Sequence, residues 1–440
     1  MNAAPSPRLG QRICVVGAGP CGLTTLKNLI AAGLDDVVCY DESDTIAGTW
    51  VFNERLERTS VYESTHIISS KSLSSFEDYP MPSDYPDFPS HQQMRAYFED
   101  YARHFGLIPY IRLQTHVEKA SLRPDGRWMV TLTGPDGASE QVFDHLFVCS
   151  GHLRDPSVPA YPGTFSGETL HSRAFKRPEP FRNKRVLVVG GGNSACDLAV
   201  DISRVASRTC ISMRRGYYIV PKVMFGRPVD VLYARLRKRS WLPRSVLQSL
   251  MTGLLRLSVG PWEKYGLATP KLPLFAMHPT LNINILSALR DGTVLPRSGI
   301  EGFDGQRVRF NDGTSEPFDT IVWATGFRIS FPFLETSVVD WDTEHSPPLY
   351  LKMMHRKIKT LFFIGLFQPI GCIWRLADHQ ARIAALQITR VLQRPADIEA
   401  RIARENRTPH WQFDGAPRHA VEVDFHDFRR ELLQELAKAG

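Results

Sequence analysis

Cysteine is scarce. The chain has seven in 440 residues, at positions 14, 21, 39, 149, 196, 210 and 372. No Cys-x-x-Cys pair occurs, which removes the usual redox-disulfide and zinc spacings, so no metal site is expected. An odd, scattered set fits a reducing cytoplasm better than an extracellular disulfide framework. Long apolar runs are missing too. None approaches the roughly 20 residues that span a bilayer, and Met1 to Gly10 lacks the apolar core of a secretion signal. The expectation is a cytoplasmic protein without a transmembrane segment. Net charge is +7, yet no basic patch accompanies a recognition motif, which argues against nucleic acid as a partner. No nucleophile–base–acid triad can be read, and no long internal repeat is present.

Two glycine-rich loops stand against these absences. Gly17-Ala18-Gly19-Pro20-Cys21-Gly22 follows the apolar run Ile13-Cys14-Val15-Val16. Gly190-Gly191-Gly192-Asn193-Ser194-Ala195 follows Val186-Leu187-Val188-Val189. Each sits behind a β-branched strand and ahead of a helical pattern, the arrangement of a dinucleotide-binding βαβ unit. In the first, Gly17 permits the tight turn, Gly19 lets backbone approach a pyrophosphate, and Gly22 lets helix and strand pack closely. A helix starting near Pro20 aims its free N–H groups and positive dipole end at phosphates. Asp41, at the end of the strand Val37–Tyr40, stands where a carboxylate accepts bonds from ribose hydroxyls. Gly190, Gly192 and Ala195 repeat the pattern. At the end of the next strand, Thr209–Met213, Arg214 and Arg215 replace the acid, and a guanidinium forks onto a 2′-phosphate. The second site is therefore expected to take NADPH rather than NADH.

The intervening segment resembles a known family. Phe165 to Phe175 fits F-x-G-x-x-x-H-x-x-x-[FY] through Phe165, Gly167, His171 and Phe175, and this pattern resembles the identifying motif of the flavin-containing monooxygenases. Ala47-Gly48-Thr49-Trp50, Phe147–His152, Ala324-Thr325-Gly326-Phe327 and Gln380-Ala381-Arg382 resemble further pieces of that family, in order from about residue 12 to 390. The resemblance implies an α/β fold of two Rossmann-like dinucleotide-binding domains, the NADPH domain inserted into a discontinuous FAD domain. The expected boundaries are 1–160 for the first part of the FAD domain, 161–326 for the NADPH domain with a helical insertion at about 228–280, and 327–440 for the second FAD part with C-terminal helices.

The same resemblance implies FAD held by Gly17, Gly19, Pro20, Cys21, Gly22 and Asp41. Thr49, Trp50 and Ser69 fall near the flavin, Val117 near the adenine and Gln380 near the isoalloxazine. It implies NADP held by Gly190, Gly192, Asn193, Ser194, Ala195, Cys196, Asp197, Arg214 and Arg215. His171 and His152 read as structural rather than catalytic. The implied activity is hydride transfer from NADPH to FAD, formation of a C4a-hydroperoxyflavin with molecular oxygen, and transfer of one oxygen atom to a soft nitrogen or sulfur of a small molecule. One departure stands out. The family often has an Asn in the long loop, and aligning on Ser69-Ser70-Lys71 puts Ile68 at that place. Loss of the amide leads us to expect peroxide leakage, the alternative being that Ser69 or Ser70 supplies the polar contact instead.

Three alternatives remain open at this point. One is Baeyer–Villiger oxygenation of ketones, against which Phe175 argues because those enzymes carry Trp there. Another is an NADPH oxidase or reductase releasing hydrogen peroxide. The third is a nucleotide-binding protein without activity. Between Leu232 and Gly260 no acid accompanies Arg235, Arg237, Lys238, Arg239, Arg244 and Arg256. This stretch reads as a solvated amphipathic insertion, the other reading being weak peripheral membrane contact. Oligomeric state is not written in short motifs; a homodimer is compatible with the sequence.

Overall fold

The computed structural model describes residues 10–55, 61–237, 243–274, 279–282, 284–339, 348–407 and 421–439. The chain forms two compact units. One comprises residues 1–51, 71–152 and 329–440, the other residues 52–70 and 153–328.

In the first unit the strand Ile13–Val16 is buried on both faces, as a continuous β-branched run demands of a central parallel strand. It pairs in parallel with Val37–Tyr40 on one side and His145–Val148 on the other. The full sheet runs Leu349–Tyr350, Met354–His355, Leu361–Phe363, His145–Val148, Ile13–Val16, Val37–Tyr40, Ile111–Arg112. A separate antiparallel meander comprises His116–Leu122, Trp128–Gly134 and Gly137–Phe143. Trp128, Val130 and Leu132 alternate into its buried face, and Gly137 takes a φ of +98° at the hairpin. The helix His91–His104 starts with a capping box between Ser90 and Gln93. It buries Met94, Tyr97, Phe98 and Tyr101, the apolar face its spacing predicts.

The second unit is built the same way around Arg185–Val189. Its parallel sheet runs Val294–Arg297, Arg208–Ser212, Arg185–Val189, Thr320–Trp323, Glu168–His171. A three-stranded antiparallel sheet, Ile300–Asp304, Arg307–Phe310 and Ser315–Pro317, packs its apolar residues with those of the parallel strands. The helices Val229–Arg237 and Arg244–Val259 occupy the stretch read as a helical insertion. Lys238 and Arg239 lie outside the described residues. No helix among the described residues is long and apolar enough to cross a membrane.

The boundaries differ from the sequence expectation. Residues 52–70 and 153–160, assigned by position to the first part of the FAD domain, and 327–328, assigned to its second part, cluster with the second unit. The reason is long-range hydrogen bonding. Glu63 N–H donates to the Lys176 carbonyl at 3.1 Å, Arg177 pairs with Glu54 and Glu63, and its guanidinium lies 5.2 Å over the Phe52 ring.

Desolvation pushes three of the buried histidines of the first unit down to about 4: His145, His152 and His355. Their unfolded values lie near 6.5, so between pH 6.5 and 4 the unfolded chain binds more protons than the folded one. Their contribution is complete above pH 6.5 and is lost as pH falls through that window. Each is expected to cost on the order of 2 kcal/mol at pH 5. Thermal melting should therefore occur several degrees lower at pH 5 than at pH 7; equal melting temperatures would contradict this reading.

Candidate functional site

The first fingerprint is shaped by backbone that touches backbone. Gly17 sits at φ +103°, and a Cβ on it would meet the Cys149 carbonyl at 2.9 Å. A Cβ on Gly22 would lie 1.8 Å from the Gly17 carbonyl oxygen, so only glycine lets the helix Pro20–Ala31 start this close to its strand. Gly19 is the N-cap and no side chain caps it; Pro20 fills the first helical position. The exposed N-terminal dipole end suits an anion. Asp41 accepts from Ala18 N–H at 2.7 Å and Ser43 N–H at 2.8 Å, which fixes the carboxylate beside the loop. The Gly48–Trp50 turn closes on the same loop: Ala47 N–H donates to the Ala18 carbonyl at 3.1 Å. A Cβ on Gly48 would stand 3.0 Å from Gly19 Cα. Thr49 is exposed. Trp50, half-buried, meets Trp374 edge-on at 5.7 Å and Phe98 at 6.4 Å. Val117 is buried among Val16, Tyr40 and Leu132.

Gln380 is wholly buried and spends both ends of its amide within the unit. Its Oε1 accepts from Gly365 N–H at 3.0 Å, and its Nε2 donates to the Leu351 carbonyl at 2.8 Å. Leu351 and Lys352 both adopt left-handed backbone, at φ +51° and +54°. This side chain therefore holds a strained turn. Burial pushes the Cys21 thiol up to about 12 and those of Cys14, Cys39 and Cys149 well above their ordinary range. A thiol held protonated is a poor nucleophile, which removes chemistry from the cysteines around this loop.

In the second unit, Gly190 stands at φ +139°, and a Cβ there would meet the Ala324 carbonyl oxygen at 2.3 Å. Gly192 is the uncapped N-cap of the helix Asn193–Ser203, and a Cβ added to it would meet nothing within 4 Å. The close contacts fix the turn, and the space in front of the helix start is open. The Asn193 side chain accepts from Leu281 N–H at 2.7 Å. Ser194 is exposed, whereas Ala195 and Cys196 are buried. Arg214, exposed, and Arg215, over the Tyr217 ring at 5.8 Å, follow the strand Arg208–Ser212.

Asp197 faces elsewhere. Its carboxylate accepts from the Tyr62 hydroxyl and the Asn282 amide, and burial raises its pKa. Tyr62, Asn282 and Lys222 were not singled out from sequence. No local pattern marks them, since their partners lie far along the chain. Ser69 is buried and Ile68 half-buried in the same 52–70 segment.

The Phe165–Phe175 motif is a packing device. A Cβ on Gly167 would strike the Phe165 ring at 2.6 Å and the Asp319 carbonyl at 2.7 Å. Phe175 is buried between Tyr62 (5.8 Å, edge-on) and Phe181 (5.7 Å, stacked). His171 Nε2–H donates to the Gly326 carbonyl at 2.9 Å while its Nδ1 accepts from Arg173 N–H at 3.2 Å. Both nitrogens are used in one neutral tautomer, and burial lowers the pKa. The two chain connections are stitched together within this unit: Phe327–Arg328 pairs antiparallel with Asp155–Pro156, Ser157 N–H donates to Gly326 at 2.9 Å, and Arg328 pairs with Asp155 at 3.0 Å.

Comparison with known proteins agrees with this paired construction. The sequence profile of the family described as flavin-binding monooxygenase-like matches residues 10–438. The chain belongs to that family. This monooxygenase is 36% identical over 443 residues to flavin-containing monooxygenase 5 of Homo sapiens, covering 96% of this chain and 82% of that protein. It is 35% identical over 448 residues to dimethylaniline monooxygenase [N-oxide-forming] 2 of Rattus norvegicus, covering 97% and 82%. Among solved structures it resembles the S-allyl-L-cysteine S-oxygenase of Allium sativum (TM-score 0.71, 21% identity, 97% of this chain and 88% of that one). It also resembles the closed form of cyclohexanone monooxygenase (TM-score 0.72, 18% identity, 97% of each chain). At these identities the structures speak to the fold, two Rossmann-like dinucleotide-binding domains. Family membership makes the chain a flavin-dependent monooxygenase.

The contrast between two glycines gives a test. Gly192→Ala has room and an allowed backbone (φ −83°), so melting temperature and flavin content should stay at the parent level. If this open space takes a dinucleotide phosphate, the added methyl obstructs it, and the KM for NADPH should rise about tenfold or more. Gly22→Ala should instead lose flavin and stability together. An unchanged KM for NADPH in the first variant, from steady-state kinetics, would overturn this assignment.

Proposed function

We propose that the first fingerprint takes FAD, the second takes NADPH, and the enzyme transfers one atom of molecular oxygen to a soft nitrogen or sulfur of a small molecule. The observation that carries this is a difference between the two units. The strand after the first fingerprint helix ends at Asp41, held beside the loop. The corresponding strand of the second unit, Arg208–Ser212, runs on into Arg214 and Arg215. A carboxylate receives the two hydroxyls of an unphosphorylated ribose; a guanidinium pair receives a ribose 2′-phosphate.

The flavin, when bound, supplies hydride acceptance from reduced nicotinamide and activation of oxygen. The chain's own contribution is positional. Gly17, Gly19 and the uncapped helix start at Pro20 would hold the FAD pyrophosphate, with Asp41 on the ribose. Gly190, Gly192 and the Asn193 N–H end would hold the NADPH pyrophosphate, with Arg214 and Arg215 on the 2′-phosphate. A relative's printed activity supports oxygenation of a heteroatom: the dimethylaniline monooxygenase of Rattus norvegicus forms an N-oxide. The Baeyer–Villiger alternative is not favoured, since Phe175 keeps the aromatic of the heteroatom-oxygenating motif.

Ile68 bears on efficiency. By its resemblance to the family pattern it takes the place of an asparagine, and its side chain offers no polar atom to a reacting oxygen species. Tertiary amines and thioethers should yield oxygenated products in air with NADPH, but with a substantial share of the electrons appearing as hydrogen peroxide. Ile68→Asn should lower peroxide per NADPH oxidised severalfold. Peroxide and product mass are measured together in one substrate panel. Tight coupling in the parent enzyme contradicts the role of Ile68, and absence of any +O product contradicts the proposed reaction.

A further inference from the structure

The segment 61–70 connects by sequence to the turn of the first fingerprint but is tied to the rest of the second unit by further bonds beyond those of Glu63. The Tyr62 hydroxyl donates to Asp197, and its ring packs edge-on against Phe175 at 5.8 Å. The Ser64 hydroxyl donates to Asp201, one turn further along the same helix. Lys222 Nζ donates to the Ile67 carbonyl at 3.1 Å. Ser70 N–H donates to Asp230 at 2.6 Å. The segment thus lies along a row of carboxylates and the cation Lys222, all from the second unit.

The helix carrying Asp197 and Asp201 is Asn193–Ser203, whose uncapped start borders the open space at Gly192. Asp197 lies only one turn inside that start. It is also tied to Asn282, two residues from the Thr280 hydroxyl, which donates to the Gly191 carbonyl at 2.7 Å. Loop 190–192, helix start, Asp197 and Tyr62 therefore form one continuous bonded path. Phosphates bound at the loop and helix start would therefore act along this path on what Asp197 holds.

We propose that Asp197 is a positioning residue. Through Tyr62 it registers segment 61–70, which carries Ile68 and Ser69, to the dinucleotide-bearing helix, so that NADP occupancy sets the place of that segment. The inference rests on the second fingerprint taking NADP. It concerns what binding does beyond the phosphate site. Tyr62→Phe keeps the ring against Phe175 and deletes the hydroxyl. Asp197→Asn keeps the size and weakens the acceptor.

The experiment is amide hydrogen exchange on the flavin-loaded enzyme with and without NADP⁺, read in peptides covering 61–70 and 193–203. In the parent enzyme NADP⁺ should slow exchange in both regions. In Tyr62→Phe and in Asp197→Asn it should slow only 193–203. In the same variants kcat should fall about tenfold while the KM for NADPH stays within about threefold. Flavin content and melting temperature confirm that each variant is folded, and either variant alone suffices for the comparison. Protection confined to 193–203 in the parent enzyme, or undiminished protection of 61–70 in the variants, overturns the coupling but leaves the NADP site standing. No NADP⁺ effect at 193–203 in the parent overturns the site itself, and the coupling with it.

Discussion

A helix can offer its amino-terminal N–H groups to phosphate only if the chain reverses from strand to helix within a few residues. That reversal is the constraint on which both halves of this molecule depend. In the first unit the Gly17 carbonyl occupies the volume a Gly22 side chain would need, at 1.8 Å from a would-be Cβ. In the second, the Ala324 carbonyl does the same to Gly190 at 2.3 Å. These are backbone atoms of central parallel strands or their immediate continuations, so no rotamer change can relieve a clash. The parallel sheets, the buried β-branched strands and the uncapped helix starts Gly19 and Gly192 follow from the same geometry.

With the two cradles fixed, the differences between them carry the chemistry. Asp41 in one and Arg214–Arg215 in the other have opposite charge at corresponding places in the βαβ unit. Buried thiols, pushed up in pKa by desolvation, take no part. His171, the polar centre of the family motif, spends both ring nitrogens on backbone. Reactive side chains are thus few, which suits an enzyme whose bound cofactor carries the difficult step and whose protein supplies orientation.

The sequence made the two βαβ units legible because each is written locally: β-branched strand, glycine spacing, helical period, second strand. The hairpin at Gly134–Gly137 and the amphipathic face of His91–His104 were legible for the same reason. What escaped is non-local. Residues 52–70 were assigned to the first domain by their position in the chain, whereas their anchors are Asp197, Lys222 and Asp230. The bonds of the buried Gln380 amide to Gly365 and Leu351 also escaped, because a helical pattern around residue 380 cannot reveal them. Asp197 sits in the fingerprint and so reads as a nucleotide ligand, but its carboxylate is occupied by Tyr62 and Asn282.

The central proposal is that one chain takes both a flavin and a phosphorylated pyridine dinucleotide and passes electrons from the second to the first. Mixing the purified protein with NADPH in the absence of oxygen tests it most directly. The account predicts that the visible flavin absorbance bleaches, far faster with NADPH than with NADH. A protein that purifies without flavin, or a flavin spectrum that NADPH leaves unchanged, would contradict it.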